Sequence, residues 1–336
     1  MKYDVSPTIE GMTVPIVYDE IIEAYCRQDE TERIEIDWVS TALSRLGYRP
    51  LPLPVNLSVD KNVFTDLDSR VVFNCVDSLE ESGRFVHIVP SILDEIGIPY
   101  TGSGADAIYL TSNKVLAKRF LKLHRIRTPR WCRVAQAAVG EIPFEPPYIV
   151  KHVWEDASFG IDEHSVLFRK SDLKDRATDI PAERRYDYFV EAFIEGREFN
   201  VSLIAGSDGP QVLPPMELEF HGFRDGRPKI VDYQTKWGND QLTEARIDRR
   251  FDFTDGELPL IHDLEKMARD CWHLFRIGGY ARIDFRVDGN GVPMILEINT
   301  NPYLGKDSSF LAAASRAGLD FDDVIRIVVN DALGHI

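Results

Sequence analysis

The spacing of apolar residues in the first hundred positions predicts strands alternating with helices. Residues 34–46 carry apolar side chains at helical spacing and end at Gly47, a residue that commonly stops a helix. The continuous apolar run at 70–76 is typical of a strand buried in a parallel sheet. We therefore expect an open parallel α/β sheet in this region. The predicted elements are a strand at 13–18, a helix at 34–46, a strand at 70–76, a helix at 86–96 and a strand at 98–102.

After about residue 108 the pattern changes to a helix followed by closely spaced strands. A Pro-rich stretch at 141–147 and a charged stretch at 169–187 separate them and are expected on the surface. The predicted elements are helices at 113–124, 259–276 and 321–332, and strands at 148–151, 188–194, 198–205, 280–287 and 293–298. These changes predict three domains, at 1–108, 109–195 and 196–336.

Two of these strands are joined by the sequence Asp-Gly-Asn-Gly at 288–291, which predicts a β-hairpin. Pairing Val287 with Val292 sets its register. The partners expected in this register include Arg282 with Glu297 and Asp284 with Ile295. A slip of one residue would move every side chain of a strand to the other face, so the register is a testable assumption.

Four polar side chains of this hairpin share one face in the expected register: Arg282, Asp284, Glu297 and Asn299. Two carboxylates and an amide oxygen form the kind of oxygen site that Mg²⁺ prefers, together with waters and substrate phosphates. The alternative is a solvent-facing sheet surface with a salt bridge between Arg282 and Glu297. The Asn and Pro residues that follow Glu297 favour a ligand site, because they end the strand and expose its polar groups.

Composition and charge narrow the class of protein. The chain has 336 residues, of which 44% are hydrophobic and 28% charged, which is the composition of a globular protein. Its formal net charge of −16 disfavours nucleic acid and anionic membranes as partners, although a pocket with a few cations could hold a small anion. The N-terminus lacks the apolar core of a secretion signal, and no apolar run reaches the length of a membrane span.

The four cysteines, at positions 26, 75, 132 and 271, are far apart and form no Cys-x-x-Cys motif. They predict reduced thiols in the core of a cytoplasmic protein. The eight histidines form no closely spaced pair, so a zinc enzyme is not expected.

Two lysines lie where nucleotide phosphates could bind. Lys114 begins a helix after a Gly-Ser-Gly turn, and Lys151 ends an apolar strand. A turn of small residues follows at 155–161, with backbone N–H groups that could contact an anion. Each feature also has an ordinary explanation, as a simple turn or as a surface lysine with a buried stem. The chain contains neither the phosphate loop of P-loop NTPases nor the protein-kinase motifs.

Taken in order, these segments resemble the ATP-grasp superfamily, in particular its D-alanine–D-alanine ligase-like branch. The resemblance covers roughly residues 99–330. The matching stretches are PYTGSGADAIYLTSNK (99–114), YIVKHVWEDASFGI (148–161), FVEAFIEGREFNVSLI (189–204), DYQTKWGN (232–239) and YARIDFRVDGNGVPMILEINTNP (280–302). The resemblance implies a three-domain α/β protein, α+β in its ATP-binding part, with ATP between two antiparallel sheets.

The resemblance also implies roles for individual residues in ATP binding. The α- and β-phosphates would meet two lysines, a small-residue loop would cover them, and the link between the sheets would contact adenine. The implied ATP-binding residues are Lys114, Lys151, Ser158, Glu191 with the backbone through Ile194 for adenine, Glu198 for the ribose and Lys236 for the γ-phosphate.

The implied metal ligands are Asp284, Glu297 and Asn299, holding two Mg²⁺ ions that Mn²⁺ could replace. Arg282 would stabilise the charge that develops at the reacting carbonyl, and Arg282 and Lys236 would be the catalytic side chains. The metal set and Arg282 agree with the hairpin argument, whereas the adenine and ribose contacts rest on the resemblance alone. The implied reaction activates a carboxylate as an acyl phosphate, which an amine then attacks to form an amide.

The chain departs from the D-alanine–D-alanine ligase pattern mainly where the amino acids would bind. The N-terminal loop motif is absent, Ala157 replaces a serine, Trp237 replaces a tyrosine and Tyr303 replaces a glycine. Trp237 and Ser308 are the candidate substrate-binding residues, and Ser308 would hold the carboxylate of the second substrate. We therefore expect a ligase for a non-standard amino acid or natural-product substrate, with a D-alanine–D-alanine ligase as the alternative.

Other classes remain open on this fold. One is a nucleotide-binding protein without catalysis, although that reading predicts loss of the metal carboxylates or of Arg282, and all are present. A carboxylate kinase or a carboxylase is another. The expected partners are a small-molecule carboxylate and amine, with no nucleic acid and no membrane, and a homodimer through the N-terminal domain is the family-level expectation.

Overall fold

Three β-sheets follow one another along the chain. The computed structural model describes residues 11–22, 31–67, 69–155, 165–223, 228–230 and 246–334. The first sheet is parallel and has the strand order β2-β1-β3. The second, of four antiparallel strands, has the order β4-β7-β5-β6, and the third has six antiparallel strands in the order β11-β10-β8-β12-β13, with β9 also paired to β8. The predicted α/β class with two antiparallel sheets is confirmed.

The thirteen strands described are β1 (Thr13–Asp19), β2 (Arg49–Val55), β3 (Phe73–Asn74), β4 (Trp131–Arg133), β5 (Tyr148–His152), β6 (Val166–Leu167), β7 (Tyr188–Ala192), β8 (Arg197–Ile204), β9 (Gln211–Val212), β10 (Met216–His221), β11 (Arg246–Arg250), β12 (Tyr280–Val287) and β13 (Pro293–Asn299). The ten α-helices described are α1 (Thr31–Arg45), α2 (Asn62–Thr65), α3 (Ile88–Ile96), α4 (Ala105–Ser112), α5 (Lys114–Leu123), α6 (Val134–Ala138), α7 (Lys170–Asp179), α8 (Leu258–Phe275), α9 (Ser309–Arg316) and α10 (Phe321–Ala332).

Strand β2 was not predicted, because its sequence alternates with prolines at 50, 52 and 54. Proline has no N–H to donate and is confined to edge strands. β2 is such an edge, since it pairs only with β1. Arg49 lies one position before the first proline and donates its N–H to the carbonyl of Met12. The prolines therefore occupy alternate positions that need not donate to β1.

Helix α5 confirms the helix predicted at 113–124, but a second helix precedes it. Asn113 has an extended backbone between α4 and α5, and its side chain accepts a hydrogen bond from the N–H of Leu116 (2.9 Å). This N-cap starts α5 at Lys114. The N–H of Lys114 itself donates to the carbonyl of Val153 (3.0 Å), which ties the start of the helix to the end of β5.

The register predicted for the hairpin is wrong. The turn is longer than expected, because Asp288 accepts the N–H of Val292 on its side chain (2.9 Å) and donates its own N–H to the Val292 carbonyl (3.1 Å). Leu296 has no opposite residue and forms a β-bulge. The opposite pairs around it are Arg282–Asn299, Asp284–Glu297 and Phe285–Ile295.

The bulge keeps the carboxylates of Asp284 and Glu297 on one face of the hairpin, as the sequence predicted. Without it, the pairing at the turn end of the hairpin would place Leu296 opposite Asp284 and send Glu297 to the other face. With it, Asp284 and Glu297 lie directly opposite each other, so both point to the same face. The predicted convergence of these polar side chains therefore stands on a different register.

The two faces of the six-stranded sheet have different chemistry. Alternate residues of β8 and β12, such as Val201 and Ile283, are fully buried and pack against α8 through Leu264 and Cys271. The intervening residues on the opposite face are polar. This alternation explains why one face forms a hydrophobic core while the other can form a site.

Candidate active site

The polar face of the six-stranded sheet carries two rows of charged and amide side chains. Antiparallel pairing of β8 with β12 places each residue of one row opposite a residue of the other. The opposite pairs are Glu198–Arg286, Asn200–Asp284 and Ser202–Arg282. Beyond β12, Glu297 and Asn299 extend the same face onto β13.

Asp284 is the most constrained carboxylate of this face. Its two oxygens accept hydrogen bonds from Arg282, from Nε to Oδ1 (2.7 Å) and from a terminal nitrogen to Oδ2 (2.9 Å). Asn200 also donates to Oδ1 (2.7 Å). A carboxylate held by a forked arginine and an amide has a fixed orientation, as a metal ligand or a charge partner requires.

The two opposite carboxylates differ in their affinity for protons. Burial raises the pKa of Asp284 to about 6, and the favourable charge of Arg282 only partly offsets this. Burial also acts to raise the pKa of Glu297, but the cations of Lys114, Lys151 and Arg282 outweigh it and hold that pKa at about 2. Both groups are therefore mainly anionic at neutral pH.

Lys114 lies between the backbone of Glu155 and the carboxylate of Glu297. Its Nζ donates to the backbone carbonyl of Glu155 (2.8 Å) and lies 3.6 Å from an oxygen of Glu297. The side chain is 6% exposed, so the charge is largely withdrawn from solvent. This cation therefore lies beside Glu155, the last described residue before the sequence segment 156–161.

Glu191 is buried on β7 and paired with two lysines. Lys151 lies 2.7 Å from one of its oxygens, and Lys118 pairs with the other. Within the described residues neither oxygen has a hydrogen-bond partner of good geometry, although both are ion-paired. Burial raises the pKa of Glu191, but the two lysines outweigh it and lower the pKa below its ordinary value.

Glu198, the expected ribose contact, is ion-paired with Arg286 (2.6 Å). The Arg286 guanidinium also donates to the backbone carbonyl of Gly196 (3.3 Å) and lies over the rings of Phe193 and Phe220, at 5.5 and 5.6 Å from their centroids. The arginine thereby fixes the carboxylate at the link between the second and third sheets.

Of the remaining predicted residues, three are described by the structure and three are not. Ile194 lies in the link between β7 and β8, and Asn299 accepts the N–H of Asn301 on its side chain (3.1 Å). Ser308 caps α9, where its Oγ accepts the N–H of Leu311 (3.1 Å), which leaves its O–H able to donate to a carboxylate. Three predicted residues lie outside the described residues: Ser158, Lys236 and Trp237.

Three polar residues at the site were not predicted: Lys118, Asn200 and Arg286. The signal for Asn200 and Arg286 was present in the period-two alternation of their strands, which continues the polar face from Glu198 and from Asp284. Lys118 follows Lys114 by one helical turn and so faces the same side of α5.

The donor set fits Mg²⁺. Asp284 and Glu297 supply carboxylates and Asn299 an amide oxygen, which are hard ligands of the kind Mg²⁺ uses together with phosphate oxygens. The neighbouring cations of Lys114 and Arg282 favour a metal that arrives with a polyanion rather than alone. Within the described ranges no cluster of three or more His, Cys, Asp or Glu suggests another metal site, and no helix there is long and apolar enough to cross a membrane.

The cysteines described have the environment that was predicted. Cys75, Cys132 and Cys271 are buried and carry free thiols. Burial raises the pKa of the Cys132 thiol to about 11, so it is not a reactive thiolate. The prediction for the fourth cysteine, Cys26, falls outside the described residues.

Comparison with known proteins identifies the family. A sequence model of the family described as "D-ala D-ala ligase C-terminus" matches residues 120–330. A D-alanine–D-alanine ligase of Methylacidiphilum infernorum is 30% identical over 287 residues, covering 84% of each chain. A D-alanine–D-alanine ligase of Desulforudis audaxviator is 30% identical over 303 residues, covering 87% of this chain and 90% of its own.

A solved structure shares the fold. The D-alanine–D-alanine ligase of Bacillus anthracis, in complex with ATP, superposes with a TM-score of 0.69 at 18% identity, covering 96% of this chain and 98% of its own. The family match, the relatives and the fold together define an ATP-grasp enzyme, an ATP-dependent ligase that forms carbon–nitrogen bonds. Within that class the chain belongs to the D-alanine–D-alanine ligase family.

Proposed function

We propose that this enzyme joins two D-alanine molecules into a dipeptide and converts ATP to ADP and phosphate. The observation that carries the proposal is the opposed pair Asp284 and Glu297, with Arg282 on one side and Lys114 on the other. Three relatives at 30% identity are named D-alanine–D-alanine ligases. They favour this alternative over the non-standard substrate that the sequence led us to expect.

In the first step, a carboxylate oxygen of one D-alanine attacks the γ-phosphorus of ATP, and the bond to the β-phosphate oxygen breaks. Lys114 and Lys151 neutralise the phosphate oxygens, and Lys236 is the sequence-predicted contact of the γ-phosphate. Asp284, Glu297 and Asn299 would hold Mg²⁺, which supplies Lewis-acid stabilisation of the transferring group. The products of this step are ADP and an acyl phosphate.

In the second step, the amine of the other D-alanine attacks the acyl carbon. The tetrahedral intermediate carries an oxyanion, and Arg282 is the cation next to it in our proposal. Collapse of the intermediate breaks the bond to phosphate, and the nitrogen gives up its extra proton to the departing phosphate, leaving a peptide bond and inorganic phosphate. We place the reaction in the cytoplasm, where ATP is available.

A second candidate is a ligase of the same chemistry whose acceptor is not D-alanine. The specific observation is Tyr303, which stands where the family resemblance expects a glycine. Its ring lies so close to Gly305 that a Cβ at Gly305 would be 2.0 Å from it. An aromatic ring folded over this loop, in which the Gly305 carbonyl accepts the N–H of Ser308 (2.9 Å), would change the shape of the acceptor pocket.

The experiment is phosphate release from ATP and Mg²⁺ across a matrix of D- and L-amino acids, singly and in pairs, with products weighed by mass spectrometry. The proposal expects release with D-alanine and a product whose mass equals two alanines minus water. Release only with another pair would favour the second candidate. Release with bicarbonate and no amine would indicate a carboxylase, and a stable acyl phosphate a carboxylate kinase.

Tight ATP binding without release under any of these conditions would indicate a nucleotide-binding protein. Metal use is tested in the same assay by replacing Mg²⁺ with Mn²⁺, and two ions are expected from the metal stoichiometry of the nucleotide complex. Sedimentation of the purified protein tests the expected homodimer.

A further inference from the structure

The β-bulge at Leu296 decides which way Glu297 points. In a regular strand the residue after Ile295 faces away from Ile295, and Glu297 would then face the same way as Ile295. Ile295 is fully buried in the core against α8, whereas Glu297 faces Asp284 on the opposite side of the sheet. The extra residue makes this change of face possible, so the metal-side carboxylate pair depends on the bulge.

Three contacts hold the bulge from its outer side. Arg127 accepts the N–H of Ile295 on its backbone carbonyl (2.9 Å), and Thr128 donates its hydroxyl to the Ile295 carbonyl (2.8 Å). The carbonyl of Leu296 accepts from Nζ of Lys118 (3.1 Å), which also donates to the hydroxyl oxygen of Thr128 (2.8 Å). Lys118 is thus the side chain that binds the bulged residue directly.

The burial of the Lys118 ammonium has a free-energy cost, because it removes a charge from water. Lys118 is 1% exposed, and its burial is compensated by Glu191, which is equally buried. Burial lowers the pKa of Lys118, and the charge of Glu191 opposes that effect. One ammonium therefore contacts β7 in the second sheet and β13 in the third, next to the adenine-side and metal-side carboxylates respectively.

We propose that Lys118 is a positioning residue for nucleotide and metal binding, because it holds the Leu296 bulge that directs Glu297 onto the site and pairs with Glu191 across the two sheets. The role given to Glu297 rests on the proposed function. Lys118 acts through Glu297 and Glu191, so its loss should change metal and nucleotide affinity more than the affinity for D-alanine.

The test compares Lys118→Met, which keeps the length of the side chain and removes the ammonium, with Lys122→Met at an exposed position of the same helix. For Lys118→Met we expect the Mg²⁺ concentration for half-maximal phosphate release to rise about ten- to hundredfold, the range for residues that orient metal ligands. KM for D-alanine should change less than threefold. Lys122→Met should match the wild type in both.

A second variant separates positioning from charge and from folding. Thr128→Val removes an uncharged donor from the same bulge, and we expect a rise of several fold in the Mg²⁺ requirement. If Lys118→Met does not fold, this variant decides the proposal. A folded Lys118→Met with a wild-type Mg²⁺ requirement, or a Thr128→Val without any change, would overturn it.

Hydrogen exchange distinguishes failure of this proposal from failure of the proposed function. If the wild type released no phosphate, the ligase function would be wrong, and the amides of residues 295–299 would become the readout. Lys118→Met should accelerate their exchange at least tenfold relative to Lys122→Met. Equal exchange in the two variants would contradict the positioning role whatever the activity.

Discussion

Replacing Glu297 by Gln keeps the size of the side chain and removes its charge from the most cationic part of the site. The pKa of Glu297 is lowered from 4.5 to about 2 by Lys114, Lys151 and Arg282, against the effect of burial. A change of one in pKa corresponds to about 1.4 kcal/mol, so the charged form is stabilised in the folded state by about 3 kcal/mol. The side chain is 24% exposed, which makes this an upper value.

The free energy of unfolding of Glu297→Gln should therefore fall by as much as about 3 kcal/mol at pH 7. Because the folded-state pKa is depressed, the stabilisation is fully present above pH 4.5 and is lost as the pH falls towards 2. The difference between wild type and variant should shrink over the same range. Urea denaturation at several pH values measures it.

The same substitution separates metal-dependent from metal-independent binding. Loss of one carboxylate ligand should lower ATP turnover by more than about a hundredfold, since residues that merely orient a ligand cost ~10–100-fold. Metal-free ATP should bind Glu297→Gln at least as tightly as it binds the wild type, because Lys114 and Lys151 lose a competing anion.

Calorimetry with ATP in EDTA and phosphate release with Mg²⁺ provide the two readouts. Glu141→Gln, at an exposed position, is the control for the chemical change and should match the wild type. Ordinary turnover by Glu297→Gln would refute the metal assignment. Weaker binding of metal-free ATP would refute the argument that Glu297 competes with phosphate for the lysines.

Further substitutions test the nucleotide contact, an ion-pair network and a glycine that the fold requires. Lys151→Ala should weaken ATP binding about tenfold, as measured by calorimetry, whereas Lys122→Ala should not. Glu217→Gln removes the carboxylate of an ion-pair network with two arginines and should lower the free energy of unfolding by ~1–3 kcal/mol at pH 7. Burial acts to raise the pKa of this carboxyl, but its arginine partners outweigh burial and hold the pKa below its ordinary value. The fall in stability below pH 4.5 should therefore be flatter in the variant than in the wild type. Gly196→Ala should destabilise the protein by more than ~2 kcal/mol, because φ is +144° and the new Cβ would lie 2.0 Å from a backbone carbonyl oxygen of β12. Gly256→Ala, with open space around it, should be tolerated in the same denaturation assay.

The elements with strong periodicity could be predicted from the sequence. Helices α8 and α10 and the strands of the hairpin lie within one or two residues of their predicted bounds. Strand β2 could not be predicted, because its prolines lower strand propensity and only its position at a sheet edge permits them. β3 is shorter than the predicted apolar run, since only Phe73 and Asn74 pair continuously with β1.

The candidate site was predictable where it follows strand alternation. The polar face of the hairpin follows from a period of two, and a register error by an even number of residues leaves the face unchanged. The bulge at Leu296 has no glycine or other local signal, because it depends on contacts from Lys118 and Thr128 far away in sequence. Long-range contacts of this kind are not encoded in any short window of the sequence.

The pairing of Glu191 with two lysines was equally inaccessible. Lys151 lies on the neighbouring strand β5, two residues from the position opposite Glu191. The approach of Lys118, in contrast, requires the packing of α5 between two sheets. The resemblance to a family named Glu191 as an adenine contact without indicating its charge partners. Its ion pairs show that this carboxylate also joins the helix to the sheet.

In the proposed reaction, a substrate carboxylate attacks the γ-phosphorus of ATP. D-Alanine labelled with ¹⁸O in both carboxylate oxygens tests it directly, with the released phosphate examined by ³¹P NMR or mass spectrometry. We expect each phosphate to carry one ¹⁸O, because the acyl phosphate breaks at the carbon–oxygen bond when the amine attacks. Phosphate without label, in unlabelled water and with ATP consumed, would mean that water attacks ATP, and would refute formation of an acyl phosphate.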